Sequence, residues 1–145
     1  MTYADYAFYS GEYMGTVCED DFMRLAVRAS SFLDYYTQGR AAAAADTDPV
    51  RLCCCALVDV YAGLEAARAL AKSKLTAAAE GEDIKSETVG SYSRTLATCG
   101  ESALAALNVA NAAKTTLAET CARYLAHTGL LYRGRRCGKC TPPTP

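Results

Sequence analysis

Tryptophan is absent from this chain, and histidine occurs once, at His127. A single imidazole leaves a zinc site short of ligands. No nucleophile-and-orienter pattern accompanies it, so it does not read as a catalytic base. Its place just before Gly129 suits an ordinary contact with the last carbonyls of a helix. Long apolar runs are missing too, and none approaches the ~20 residues that span a bilayer. No charged, apolar, small-residue signal segment opens the chain. Neither sign of charge is in excess: the formal net charge is −1, which argues against a generic nucleic-acid binder. These absences lead to the expectation of a cytosolic protein with no membrane contact. Its eight cysteines are therefore read as thiols first.

What the chain has in quantity is alanine, 28 residues of 145. Small side chains favour helix and close helix–helix approach, but each buries little area. One domain of modest core follows, with some stability borrowed from neighbours. The organising stretch is Pro49–Ala79. Asp48 can cap its start, and Pro49 loses nothing by lacking an N–H at a first helical position. Leu57, Tyr61, Leu64 and Ala67, with Val50 and Cys54 behind and Leu70 ahead, predict one apolar stripe. Glu65 and Arg68 decorate the opposite, wet side. At about 1.5 Å per residue such a helix is roughly 45 Å long, more than a globular core of this size needs.

Upstream, residues 1–15 carry Tyr3, Tyr6, Phe8, Tyr9 and Tyr13 and read as an extended or irregular arm, lying on its own domain or on a neighbour. Thr16 and Glu19 have capping-box spacing. Phe22, Leu25, Ala26, Ala29, Phe32, Leu33 and Tyr36 then predict a helix over about 17–37, stopped by Gly39, with Asp20 and Arg24 as an i, i+4 pair. Ala41–Ala45 reads as a linker or a frayed turn. Residues 84–96 break the helical pattern and suit a short hairpin or an extended loop. Helix returns over 101–127, bent or divided near Asn108 and Asn111, with Gly129 at its end. The fold class expected is all-α: a small bundle over 1–136 with a long central helix and one loop or β-hairpin at 84–96. A flexible tail is expected over 137–145.

Cysteine offers little chemistry. Cys53-Cys54-Cys55 covers most of a helical turn, so its side chains diverge, and buried small hydrophobes are the natural reading. Cys137 and Cys140 form one C-x-x-C, half of a tetrahedral zinc site or an oxidisable pair, with no second pair to complete it. No phosphate-cradling loop occurs, and the carboxylates cluster where helix capping accounts for them. No enzyme, metal or cofactor is expected. Charge is uneven, however. Asp5, Glu12, Glu19, Asp20 and Asp21 face only Arg24 at the front, while Arg133, Arg135, Arg136 and Lys139 have no acid near them at the end. That asymmetry suits head-to-tail contact between identical subunits, or a basic tail meeting an acidic partner.

Three segments carry a resemblance: YSGEYMGTVCEDDFMRLAVRASSFLDYYTQGRA near the start, IKSETVGSYSRTL in the centre and YLAHTGLLYRGRRC near the end. Together they resemble the small head–tail connector, or head-completion adaptor, proteins of long-tailed bacteriophages and prophages. The resemblance leaves out 97–113 and the tail beyond Cys137. It implies a helical subunit that forms a ring, usually a dodecamer, on the portal protein. Such a ring extends the DNA channel, touches packaged DNA transiently and without sequence preference, and offers a platform to the next head-completion or tail adaptor. Carried onto this chain, Glu87, Val89, Gly90 and Tyr92 are the loop contacts. Leu130, Leu131, Tyr132, Arg133, Arg135 and Arg136 belong to the portal-docking end, 124–136. The implied location is the virion's head–tail interface, after the host cytoplasm. The alternatives are a small cytosolic zinc- or DNA-binding regulator using Cys137, Cys140 and the basic tail, or a stand-alone helical interaction module.

Overall fold

Hydrophobic periodicity and local capping organise a computed structural model that describes residues 2–79, 86–89, 92–95, 108, 112 and 115–132. It is a mostly helical, all-α subunit with one small hairpin. The first element, α1 (Tyr6–Gly11), replaces the irregular arm expected over 1–15. Its helix is started by Asp5, whose carboxylate accepts from the Phe8 N–H at 2.9 Å. It is only six residues long, too short to persist without packing. The arm lies on its own domain: Tyr3 and Tyr9 are buried in the core, and Tyr6, Phe8 and Tyr13 pack against it.

The second helix, α2 (Glu19–Thr37), starts two residues later than the capping-box spacing predicts. Cys18 is its N-cap and supplies no side-chain cap. Three acids in the first turn, Glu19, Asp20 and Asp21, complement the exposed N–H groups instead. Phe22, Leu25, Ala26, Ala29 and Leu33 are buried, as the 3.6-residue period requires. The helix ends through two successive left-handed residues, Gln38 (φ 56°) and Gly39 (φ 75°), and the Gly39 N–H returns to the Asp34 carbonyl at 2.8 Å. The Ala-rich tract is a 3₁₀ turn, Arg40–Ala44, tied to α2 by Thr37. The buried Thr37 hydroxyl donates to Leu33 O at 2.7 Å and accepts from Ala41 N at 3.1 Å.

The long helix α3 spans Asp48–Ala79, the expected length. Ser30 lies against Cys54 and Arg24 against Glu65, so α2 and α3 run antiparallel. The single stripe does not hold. Cys53 through Val58 are buried in an unbroken run, because this part of the helix is enclosed on every side. Further along, the buried positions fall at Leu57, Leu64 and Ala71, a seven-residue step. Leu70, expected on the stripe, is 56% exposed for that reason. A fourth helix, α4, covers 115–125 and sets Leu117, Cys121 and Leu125 into the same core. It stops two residues short of the expected 127, and Gly129 (φ 72°) turns the chain beyond it. Asn108 and Ala112 are helical, and the rest of 97–114, including Asn111, lies outside the described residues.

Of the two options for 84–96, the hairpin is present. Strands β1 (Ser86–Val89) and β2 (Tyr92–Thr95) pair antiparallel, with Glu87 opposite Arg94 and Val89 opposite Tyr92. Among the described residues no helix is long and apolar enough to cross a membrane.

Candidate functional site

Tyr9 links α1 to both α2 and α3. It is fully buried, with its ring 4.7 Å from that of Phe22 and stacked on Tyr13. Its hydroxyl donates to Asp59 on α3 at 2.6 Å and accepts from the Val17 N–H at 3.1 Å. Tyr13 donates to the other Asp59 oxygen at 2.8 Å. Desolvation, and then the hydrogen bond to Asp59, pushes the Tyr9 phenol up to about 12 and raises Tyr13 as well. Tyr3 repeats the device on the other side: its N–H donates to Ser30 Oγ at 3.1 Å and its hydroxyl to Asp34. Burial and that acceptor raise its pKa in turn. Raised phenols held by carboxylates stay protonated at neutral pH, so these groups are anchors, not acids or bases.

The thiols lie deeper. Cys53, Cys54, Cys55 and Cys121 are buried, and Cys53 Sγ stands 3.9 Å from Cys121 Sγ across the α3–α4 contact. The shared hydrogen bond and then desolvation push Cys53 far up, while burial raises Cys54 and takes Cys55 to about 12. Thiols in this state are poor nucleophiles and poor ligands. Among the described residues no cluster of three or more His, Cys, Asp or Glu side chains is placed to hold a metal. Cys137 and Cys140 lie outside those residues.

Arg24 is not paired with Asp20. It reaches Asp21 at 2.8 Å and clamps Glu65 of α3 at 2.6 and 2.7 Å, and Arg28 joins the same carboxylate. Asp21, three residues back on the same helix, and the cross-helix Glu65 carboxylate together take up the guanidinium's donors, the latter through a bidentate fork. Asp5 is likewise engaged, with Arg51 3.5 Å away and the Arg51 guanidinium 3.9 Å above the Phe8 ring.

The residues singled out from the sequence fall in two places. Glu87, Val89 and Tyr92 sit on the hairpin strands, while Gly90 lies outside the described residues. At the closing end Leu130 and Leu131 pack against the core, which commits part of their surface within the subunit. Tyr132 is 61% exposed, and its carbonyl accepts from Arg40 just past α2. Arg133, Arg135 and Arg136 lie outside the described residues.

One feature went unread in the sequence. Val27, Arg28, Ser31, Phe32 and Tyr35 of α2, with Tyr61 of α3, line an open groove of about 610 Å³. Tyr35 is 80% exposed, and Met23 and Val27 continue its row at four-residue steps. The signal was a second, weaker apolar row, Met23, Val27, Ser31 and Tyr35, on the face opposite the core stripe. No protein-family model, curated protein or solved structure matches this chain.

Proposed function

We propose that the chain is a structural subunit of a phage-type virion: a head–tail connector that assembles as a ring on the portal protein. It extends the DNA channel there and carries the next adaptor or the tail. Its role is contact, with no bond made or broken. The observation that supports this reading is the placement of exposed large apolar side chains at opposite ends of the α2–α3 pair. Met23 and Leu70 lie toward the start of α2, where α3 runs past its partner. Tyr132 lies beside the other end, next to Arg40. A closed ring uses two different, complementary patches per subunit, and a pair of ends about 28 Å apart along a 19-residue helix supplies them. Of the five acids at the front of the chain, Glu12, Glu19 and Asp20 have no ion-pair partner among the described residues, and the unbalanced basic residues stand at the end of the sequence.

Electron microscopy of the protein mixed with its portal tests the reading. The expected result is a ring seated below the portal. Free portals beside unassociated subunits at micromolar protein overturn it, as does turnover of any small substrate. Metal analysis separates the regulator: one zinc per chain favours that protein over the connector.

A further inference from the structure

The helices α3 and α4 meet at two thiols. Cys53 on α3 and Cys121 on α4 are both fully buried, and their sulfurs stand 3.9 Å apart. The two residues are 68 positions apart in sequence, so only the packing of α4 on α3 brings them together. The neighbouring thiols turn elsewhere. Cys54 Sγ lies 3.6 Å from Ser30 Oγ on α2. Cys55 feels the charges of Asp59, Arg51 and Asp5, on the side where the first helix packs. Of the triplet, Cys53 is the member that meets α4.

A disulfide needs its sulfurs about 2.05 Å apart, so this pair has roughly 1.9 Å to close. Each sulfur swings about its own Cα–Cβ bond, and turning both shares that closure between the two helices. The chemistry balances as exchange with a small-molecule disulfide, oxidised glutathione being the simplest. One protein thiolate attacks a glutathione sulfur, which forms a mixed disulfide and releases one glutathione thiol. The second protein thiolate displaces the remaining glutathione and closes the protein S–S bond. Two protein S–H bonds are lost, one external S–S bond is broken, and two glutathione thiols carry away the protons. The protein pair gives up two electrons and the small disulfide takes them.

Burial sets how the exchange runs. The hydrogen bond to Cys121, and then burial, keep the Cys53 thiol protonated in the folded chain, so both thiols exchange while the chain is open. Folding then returns the two sulfurs to contact, at a far higher effective concentration than an external thiol offers. Once closed, the bond is enclosed in the same way, and reductants reach it slowly.

We propose that Cys53 and Cys121 form a redox latch, which closes as a disulfide in an oxidising medium, fixes α4 to α3, and stays open in a reducing one. The loop it closes contains the β1–β2 hairpin, and closing it removes freedom from the unfolded chain. The inference stands on the α3–α4 contact and does not rest on the connector reading. A virion subunit leaves a reducing cytosol for an oxidising exterior, which is the change that closes such a pair.

Peptide mapping of the full-length chain tests this. The protein is passed through urea and refolded in glutathione buffers graded from reducing to oxidising, then alkylated, digested and analysed by mass spectrometry. The expected product is a Cys53–Cys121 cross-linked peptide with Cys54 and Cys55 alkylated, about 2 Da lighter than its two reduced pieces together. It should form at glutathione ratios that leave the pair open in chains kept in concentrated urea. The urea midpoint should rise by about 1 M or more over that of the reduced protein. Cys121→Ala, checked for native circular dichroism, should lose both the peptide and the rise, and Cys53→Ala repeats the test from the other side. Bonds from Cys121 to Cys54 or Cys55, or a Cys137–Cys140 bond with Cys53 and Cys121 still reduced, overturn the proposal. So does a cross-link that leaves the midpoint unchanged or lowers it, and so does a rise that survives Cys121→Ala.

Discussion

Tyr9 and Asp59, fifty residues apart, are joined by a 2.6 Å hydrogen bond that ties a six-residue helix to the long one. Asp59 receives Tyr13 as well, so one carboxylate ties two tyrosines of the first fifteen residues to α3.

Removing that acceptor leaves two phenols without their partner. Asp59→Ala is expected to cost about 2–3 kcal/mol and Tyr9→Phe about 1–2 kcal/mol, read from urea unfolding curves. The double variant should cost less than the sum, since both changes remove one bond. The same bonds carry an alkaline signature. With the folded Tyr9 phenol pushed up to about 12 and an unfolded value near 10, its contribution is complete below pH ~10. It is lost as pH rises toward 12, and Tyr9→Phe should flatten that part of the curve.

Two glycines should respond with opposite sign. A Cβ on Gly15 collides with the Tyr9 ring, which the surrounding core holds in place. Gly15→Ala is expected to lose about 1–3 kcal/mol, as overpacked cores do. Gly63 is exposed within α3, and a Cβ there meets nothing within 4 Å. Gly63→Ala is expected to gain about 0.5–1 kcal/mol through helix propensity. Thermal melts of the two variants check the pair, and a shift in the same direction for both refutes it.

The Arg24–Glu65–Arg28 cluster predicts acid sensitivity. Hydrogen bonding to Arg24, and then the two guanidinium charges, hold the Glu65 carboxyl below its ordinary range. A lowered folded value means the stabilisation is present above the unfolded pKa, near pH 4.3, and is lost as pH falls through the folded value. Urea midpoints measured from pH 7 to pH 3 should therefore fall more steeply in the unaltered protein than in Glu65→Gln. The groups are largely solvent-exposed, so 1 M salt should shrink the difference.

Thiol labelling should separate the described cysteines cleanly. Cys18 is exposed and should react with an aromatic disulfide reagent in the native protein at pH 8. Cys53, Cys54, Cys55 and Cys121 should react only on unfolding, because they are enclosed; burial also raises the pKa of Cys54 and Cys55. Mass spectrometry of the labelled peptides checks this. Native labelling within the triplet would mean that α3 opens locally at its centre.

Periodicity alone was enough to locate α2 and α3, because a long run of residues votes on each, although packing replaced the stripe expected on α3. The buried cysteine triplet was legible for a related reason: thiols without ligand spacing have only the core to go to. The first helix was not legible, since six residues give less than two turns of pattern and its order comes from Asp5, Phe22 and Asp59. Nor was the pairing of Arg24 with Glu65, which requires knowing that α2 and α3 are antiparallel and in which register. The heptad-spaced seam at Leu57, Leu64 and Ala71 belongs to the same class. Sequence by itself determined that α2 and α3 coil and that the Phe22–Leu33 stripe of α2 leaves water, because those depend on neighbours along the chain. Only tertiary structure decided which charges meet, where Leu70 and Tyr35 stay exposed and that a groove opens beside Phe32, because those depend on how two helices cross.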